Sequence, residues 1–168
     1  MKLYKTVEKE ASASQIIEKS KFITYVKPVS SKEEADAFIA EIRKKHKDAT
    51  HNVPAMVIGD KMQLQWASDD GEPQGTSGAP MVKLLTSEEI TDTVIVVTRY
   101  FGGIKLVLSD LPAAAGRGGL CDMVRLAVAA RVFRAAAGTA RRGRVAAAAQ
   151  KAALQLRRRV RPHDAAGR

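Results

Sequence analysis

Between Ser31 and His46 the apolar positions Ala35, Phe38, Ile39 and Ile42 fall three and four residues apart, the spacing of one helix face. Ser31-Lys32-Glu33-Glu34 supplies a capping box in front, and Lys44, Lys45 and Lys47 follow where the helix dipole favours cations. The pattern predicts a helix over about 32–46, its stripe buried as core. Val94-Ile95-Val96-Val97 is continuous and β-branched, so it predicts a strand buried on both faces. Residues 2–7 and 22–29 predict strands around a polar turn at Glu8–Ser14, with Pro28 marking a strand end or an edge. Val53–Ile58 and Lys61–Trp66 predict a hairpin about Gly59-Asp60. Met62, Leu64 and Trp66 alternate there with Lys61, Gln63 and Gln65, so one face is expected buried and the other wet. Pro80 opens Met81-Val82-Lys83-Leu84-Leu85, a short helix to about Thr86 with proline in its first turn. The order ββ, α, ββ, α, β predicts an α+β two-layer sandwich, a mainly antiparallel sheet with helices on one face.

The stretch before that short helix, Ser68–Pro80, packs three glycines, two prolines and three carboxylates into thirteen residues. Such a composition suits a shaped loop rather than a core element. Thr76 or Ser77 can cap the helix, and the loop's free N–H groups could gather an anion or phosphate. Asp69, Asp70 and Glu72 oppose that reading, since they would repel a phosphate unless a metal or a basic group intervened. The alternative is a rigid Ω-loop that only positions the helix. The glycine spacing matches neither the dinucleotide fingerprint nor a P-loop.

The residues disfavour an enzyme. There is no nucleophile elbow, no His-Glu-x-x-His and no Cys/His pair, and no second ligand cluster joins the three carboxylates. His51 beside a strand is more often a hydrogen-bonding group than a base. No catalytic residue, metal ligand or cofactor is assigned. Arg99 leaves the buried strand beside Tyr100, Phe101, Gly102 and Gly103. It could grip a phosphate while an aromatic ring stacks on a base. Equally, it could pair with Asp69, Asp70 or Glu72 and lock the loop to the sheet end.

Two motifs occur in order: Asp69-Asp70-Gly71-Glu72-Pro73-x-Gly75-Thr76-x-Gly78-x-Pro80, then Val97-Thr98-Arg99-Tyr100-Phe101-Gly102-Gly103. With Thr50-His51-Asn52 before Val53, they resemble the YigZ/Impact N-terminal family over residues 1 to about 106. The resemblance implies a fold similar to domain 2 of ribosomal protein S5. It implies a non-enzymatic role in regulating translation, through RNA, the ribosome or a translation-related protein partner. Eukaryotic relatives restrain a translation-initiation kinase by competing for its activator. The implied site joins His51, Asp69, Asp70, Gly71, Glu72, Pro73, Gly75, Thr76, Ser77, Gly78 and Pro80 to Arg99, Tyr100, Phe101, Gly102 and Gly103. Two alternatives stand beside it. One is a metal-dependent enzyme acting on a small phosphorylated or nucleotide-like ligand, with Asp69, Asp70 and Glu72 holding the ion. The other is a pure protein-interaction module.

Charge changes the picture only through its distribution. The chain carries a net charge of +10. Up to Leu106 there are fifteen basic and fifteen acidic residues; from Val107 there are thirteen basic and three acidic. A nucleic-acid role for the motif-bearing part therefore rests on local geometry. In the family, the Gly-Gly-x-x-Leu segment leads into a Gly-x-Gly-Gly-Leu-x-Arg-Ala-Tyr helix start. Here it runs into Val107-Leu108-Ser109-Asp110, and the chain turns Ala- and Arg-rich. Residues 107–168 are thus expected to be a frameshifted or recombined tail that compromises the next family helix and leaves the core short of cover. The competing reading is a genuine basic tail with an amphipathic helix over Met123–Ala137. The family's usual ferredoxin-like C-terminal domain is not expected. One cysteine, no secretory signal and no membrane-length apolar run predict a cytoplasmic protein with no membrane partner.

Overall fold

The computed structural model describes residues 3–17, 19–103, 124–125, 127–128 and 132–136. Its elements are β1 (Leu3–Val7), β2 (Ala11–Ile17), β3 (Ser20–Pro28), α1 (Lys32–Lys45), β4 (His51–Ile58), β5 (Leu64–Ala67), α2 (Gly78–Ser87), β6 (Thr93–Tyr100) and β7 (Val132–Ala136). The main sheet has five strands in the order β2-β3-β6-β4-β5, every neighbouring pair antiparallel, while β1 and β7 form a separate pair. The α+β class is therefore as expected.

β6 sits at the centre because its run Val94-Ile95-Val96-Val97 presents apolar side chains to both faces. Ile95 and Val97 pack in one core cluster with Val53, Ala55 and Val57 of β4 and Met81, Leu84 and Leu85 of α2. Val94 and Val96 point the other way, into a cluster with Met56 and with Ala35, Phe38, Ile39 and Ile42 of α1. Side chains alternate along a strand, so four consecutive apolar positions need cover on both faces, and α1 and α2 lie against opposite faces rather than sharing one as the element order suggested. Phe38, 1% exposed, anchors the α1 side; burying such a ring contributes about 1.5–3 kcal/mol.

Several expectations are corrected. The polar turn at Glu8–Ser14 is largely strand: β2 pairs with β3 from Ala11↔Val26 to Ile17↔Ser20. Its Ala and Ser residues alternate half-buried and exposed, as on a sheet edge, and their small size hid the pattern. The hairpin after β4 has no two-residue turn. Residues 59–63 connect the strands, with Gly59 at φ 99 and Met62 at φ 54, and Met62 N–H donates to Gly59 O. Trp66 is 40% exposed rather than buried, because β5 is a short edge strand. The helix proposed over Met123–Ala137 is helical at Val124, Arg125, Ala127 and Val128 but becomes strand β7 at Val132–Ala136. Val124, Ala127 and Val128 are 1%, 2% and 4% exposed in the α2-side core, so this stretch covers a face that was expected to lack cover. The rest of the tail, including the arginine runs, lies outside the described residues.

α1 keeps its predicted span within one residue. The Ser31 side chain accepts from Glu34 N–H, and Glu34 answers by accepting from Ser30 N–H and Ser30 Oγ. α2 starts two residues before Pro80, which therefore sits in the first turn, where a missing N–H costs nothing.

Candidate functional site

At the sheet end formed by the start of β4 and the close of β6, the Ser68–Pro80 loop folds back onto the strands. His51 stands opposite Arg99 in the ladder, and Phe22 of β3 opposes Arg99 from the other side, so the three share a face. Glu72 enters from the loop. Its Oε1 accepts from Arg99 Nη1 at 2.6 Å and lies 3.6 Å from His51 Nε2. Arg99 is 3% and Glu72 7% exposed. The guanidinium also lies 5.6 Å from the Phe22 ring centroid and 6.0 Å from that of Phe101. Of the two readings of Arg99, the lock is what the fold adopts: Nη1 is taken by Glu72 and the guanidinium is buried. Its Nε has no partner among the described residues.

The other two loop carboxylates are spent in the same way. Asp70 Oδ2 accepts from Asn52 N–H at 2.6 Å, and Oδ1 pairs with Arg43 of α1 at 2.7 Å. Asp70 O bonds His51 Nδ1 at 2.8 Å, so the imidazole is a bridge within the lock. To turn this tightly the loop runs through two left-handed residues, Asp70 at φ 49 and Gly71 at φ 88; only glycine takes the second without strain.

Asp69 decides the fate of the expected anion site. Its Oδ1 accepts from Ser77 N–H and Gly78 N–H at 3.1 and 2.8 Å, and its Oδ2 from Gly75 N–H at 2.7 Å. The N–H groups offered to a phosphate are filled by the chain's own carboxylate. Ser77 is the N-cap residue but makes no side-chain capping bond, and Thr76 Oγ1 donates to Pro73 O instead. Burial alone would raise the Asp69 carboxyl, but the N–H groups of Gly78, Gly75 and Ser77 outweigh it and hold it below the usual carboxylate range. Asp69→Ala should therefore cost about 1–2 kcal/mol, the scale of a lost helix cap. Since the folded group is depressed, its contribution is present above the unfolded value of about 3.9 and disappears as pH falls through the lower folded value. Denaturant titrations of both proteins at neutral pH and in acid check this, the difference narrowing in acid.

The three carboxylates thus engage three separate sets of partners and do not converge, as a shared metal would require. Among the described residues no group of three or more His, Cys, Asp or Glu side chains could hold a metal ion.

A second cluster at the same end escaped the sequence reading. His46 caps α1, its N–H donating to Ile42 O. Its ring is held between two tyrosines, Tyr25 Oη at 2.7 Å from Nε2 and Tyr100 Oη at 2.7 Å from Nδ1. Asn52 Nδ2 donates to His46 O, and Thr98 Oγ1 donates to Asn52 Oδ1. No local spacing brings residues 25, 46, 52, 98 and 100 together; the one signal was the placement of Tyr25 and Tyr100 on strands, which the β3–β6 register sets on the same face of the sheet. Burial, then the charges of Lys45 and Lys21, push His46 below its ordinary value. The fold keeps the ring neutral, while the unfolded chain takes up a proton below about pH 6.5. This contribution is full above that pH and declines as pH falls toward the folded value. His46→Gln should remove that part of the decline, read as unfolding midpoints across the range.

Around both clusters the surface is basic and aromatic. Phe101 is 50% exposed, its N–H donating to Thr50 Oγ1. Lys21 stands opposite Tyr100 in the ladder, and Lys45 Nζ lies 5.1 Å from the Tyr25 ring centroid. Lys44 and Lys47 follow at the end of α1, with Asp48 the nearby acid in sequence. Of the remaining residues of the predicted site, Gly71, Pro73, Gly75 and Gly103 are exposed, Thr76, Pro80, Tyr100 and Gly102 half-buried, and Ser77 and Gly78 buried.

Comparison with known proteins places these motifs. The family model described as the Impact N-terminal domain matches residues 18–117. The chain is 48% identical over 114 residues to IMPACT family member YvyE of Bacillus subtilis strain 168, covering 68% of this chain and 52% of that protein. It is 43% identical over 105 residues to IMPACT family member YigZ of Escherichia coli strain K12, covering 61% and 51%. A crystal structure described as that of a hypothetical protein superposes with a TM-score of 0.63 at 30% identity, over 80% of this chain and 64% of that one. The chain spans about half the length of the curated relatives it matches.

Proposed function

From the premise that the chain belongs to the Impact N-terminal domain family, we propose that it acts without catalysis, regulating translation by binding RNA at the end of its sheet. One observation carries the RNA part: a half-exposed Phe101 follows Tyr100, which stands opposite Lys21 and bonds His46 at the basic end of α1, and the loop's acids at this sheet end are consumed internally. An exposed ring offers a stacking platform, and surrounding lysines meet the phosphates. In this reading Arg99, Glu72, Asp70 and His51 do not touch RNA. They hold the β6 end and the loop rigid so that Phe101 and Tyr100 are presented. The link to translation rests on the family.

The test uses the full chain, because Val124, Ala127, Val128 and β7 are packed into the fold and truncation after Leu106 would strip them. A labelled single-stranded oligouridylate is titrated at several salt concentrations. Phe101→Ala should weaken binding about tenfold, since stacking contributes about 1–3 kcal/mol per base. Lys21→Ala with Lys45→Ala should lower the salt slope by about 1.4. Affinity indifferent to Phe101 and to both lysines would assign the binding to the arginine-rich tail and overturn this reading.

A further inference from the structure

We propose that β5 is a docking edge for an extended, carboxylate-bearing segment of a partner protein, which joins the sheet as a sixth strand beside α2. The site lies apart from the RNA surface and does not depend on it. β5 has β4 as its only neighbour among the described strands. Ser68 N–H donates to Pro54 O across the ladder, and backbone groups alternate in direction along an antiparallel pair. Leu64 and Trp66 therefore turn their N–H and C=O toward β4. Gln65 and Ala67 turn theirs to the open edge, where no partner among the described residues meets them. Two residues thus offer four backbone bonds to an incoming strand, the first requirement for strand addition.

The second observation is the groove beside that edge, about 660 Å³ in volume, running between β5 and α2. Ala67, Ala79 and Val82 give it a small apolar lining, and Lys83 stands at its rim. Its two charged residues are not equivalent. Asp69 is saturated by three backbone N–H groups, whereas Lys83 forms no ion pair among the described residues. The groove is therefore positive in effect, and a carboxylate complements it. A second copy of this chain fits poorly, because Leu64–Ala67 laid against itself brings no acid to Lys83. An antiparallel strand bonded to Gln65 and Ala67 aims alternate side chains at α2. The recognised pattern is then a small apolar residue and an acid two positions apart, both on that face.

The probe is a capped heptapeptide, Thr-Val-Thr-Glu-Thr-Val-Thr, titrated into the isotopically labelled full chain. Amide shifts should centre on Gln65 and Ala67, with their hydrogen exchange slowed at least about tenfold. N-methylation of the valines and the glutamate should abolish binding, while N-methylation of the inner threonines, whose N–H groups face away from β5, should leave it intact. Lys83→Glu, an exposed change, should reverse the preference between this peptide and its Glu-to-Lys counterpart. The proposal is overturned if Gln65 and Ala67 do not respond at about 1 mM peptide, the weakest affinity worth a site. It is equally overturned if both methylated peptides bind alike, if Lys83→Glu leaves the preference unchanged, or if those amides shift with protein concentration alone, which would give the edge to a second copy.

Discussion

Glu72→Ala is expected to lower the unfolding free energy by about 3–5 kcal/mol, the cost of stranding a charge in the interior. Arg99 is 3% exposed, and the 2.6 Å bond to Glu72 is its one ion pair among the described residues. Its Nε already lacks a partner, so removing the carboxylate leaves a buried guanidinium with only the Phe22 and Phe101 rings nearby. His51 Nε2 loses its acidic neighbour in the same step. At about 2–4 °C per kcal/mol for a chain of this length, the unfolding midpoint should fall by about 6–20 °C. Glu72→Leu combined with Arg99→Met should recover most of the loss, because the buried pair is costly to break but not intrinsically stabilising. Arg99→Lys keeps the charge and loses the planar fork, and should fall between. Thermal melts of the three variants and the parent decide the matter; a Glu72→Ala midpoint within a degree or two of the parent would mean that the loop is not held by this pair.

Gly102→Ala should be the next most damaging single change, at about 3 kcal/mol, the upper end of overpacking costs. A Cβ at this position would stand 2.1 Å from both the carbonyl carbon and oxygen of Lys19 and 2.5 Å from the Ser20 nitrogen. These are backbone atoms, so no rotamer change relieves the clash. Lys19 is itself held left-handed at φ 66 in the β2–β3 turn, and Gly102 N–H donates to Ser20 Oγ. Either the hairpin turn or the β6 exit must move, and Phe101 moves with it. Denaturant unfolding should register the stability loss, while oligouridylate affinity falls by more than stability alone explains. A folded Gly102→Ala protein with parental RNA affinity would show that the position of Phe101 is immaterial to binding.

Much of the scaffold was legible because its signals are local. α1 announced itself through the Ala35–Ile42 stripe and the Ser31 cap, and β6 through four consecutive β-branched residues. The two motifs mark segments that do come together, since loop and turn meet at one end of the sheet. β2 was missed because Ala-Ser alternation carries almost no hydrophobic contrast, and an edge strand needs little. The exposure of Trp66 was missed because alternation reports which residues share a face, not whether anything covers that face.

By itself, then, the sequence determined which segments are helix and central strand, which family the chain resembles, and which two motifs carry the residues that meet at one end of the sheet. The tertiary structure alone decided what those residues do. Whether Asp69 repels a phosphate or replaces it depends on whether its carboxylate reaches the N–H groups of Gly75, Ser77 and Gly78, a matter of loop path and not of spacing. Whether Arg99 grips a ligand or locks the loop depends on Glu72, twenty-seven residues away, arriving within 2.6 Å. Pairings between distant segments are fixed by packing across the sheet, which the order of residues along the chain does not encode locally. That is why the acids and the arginine, conspicuous in the sequence, close on each other, while Phe101 is left half-exposed.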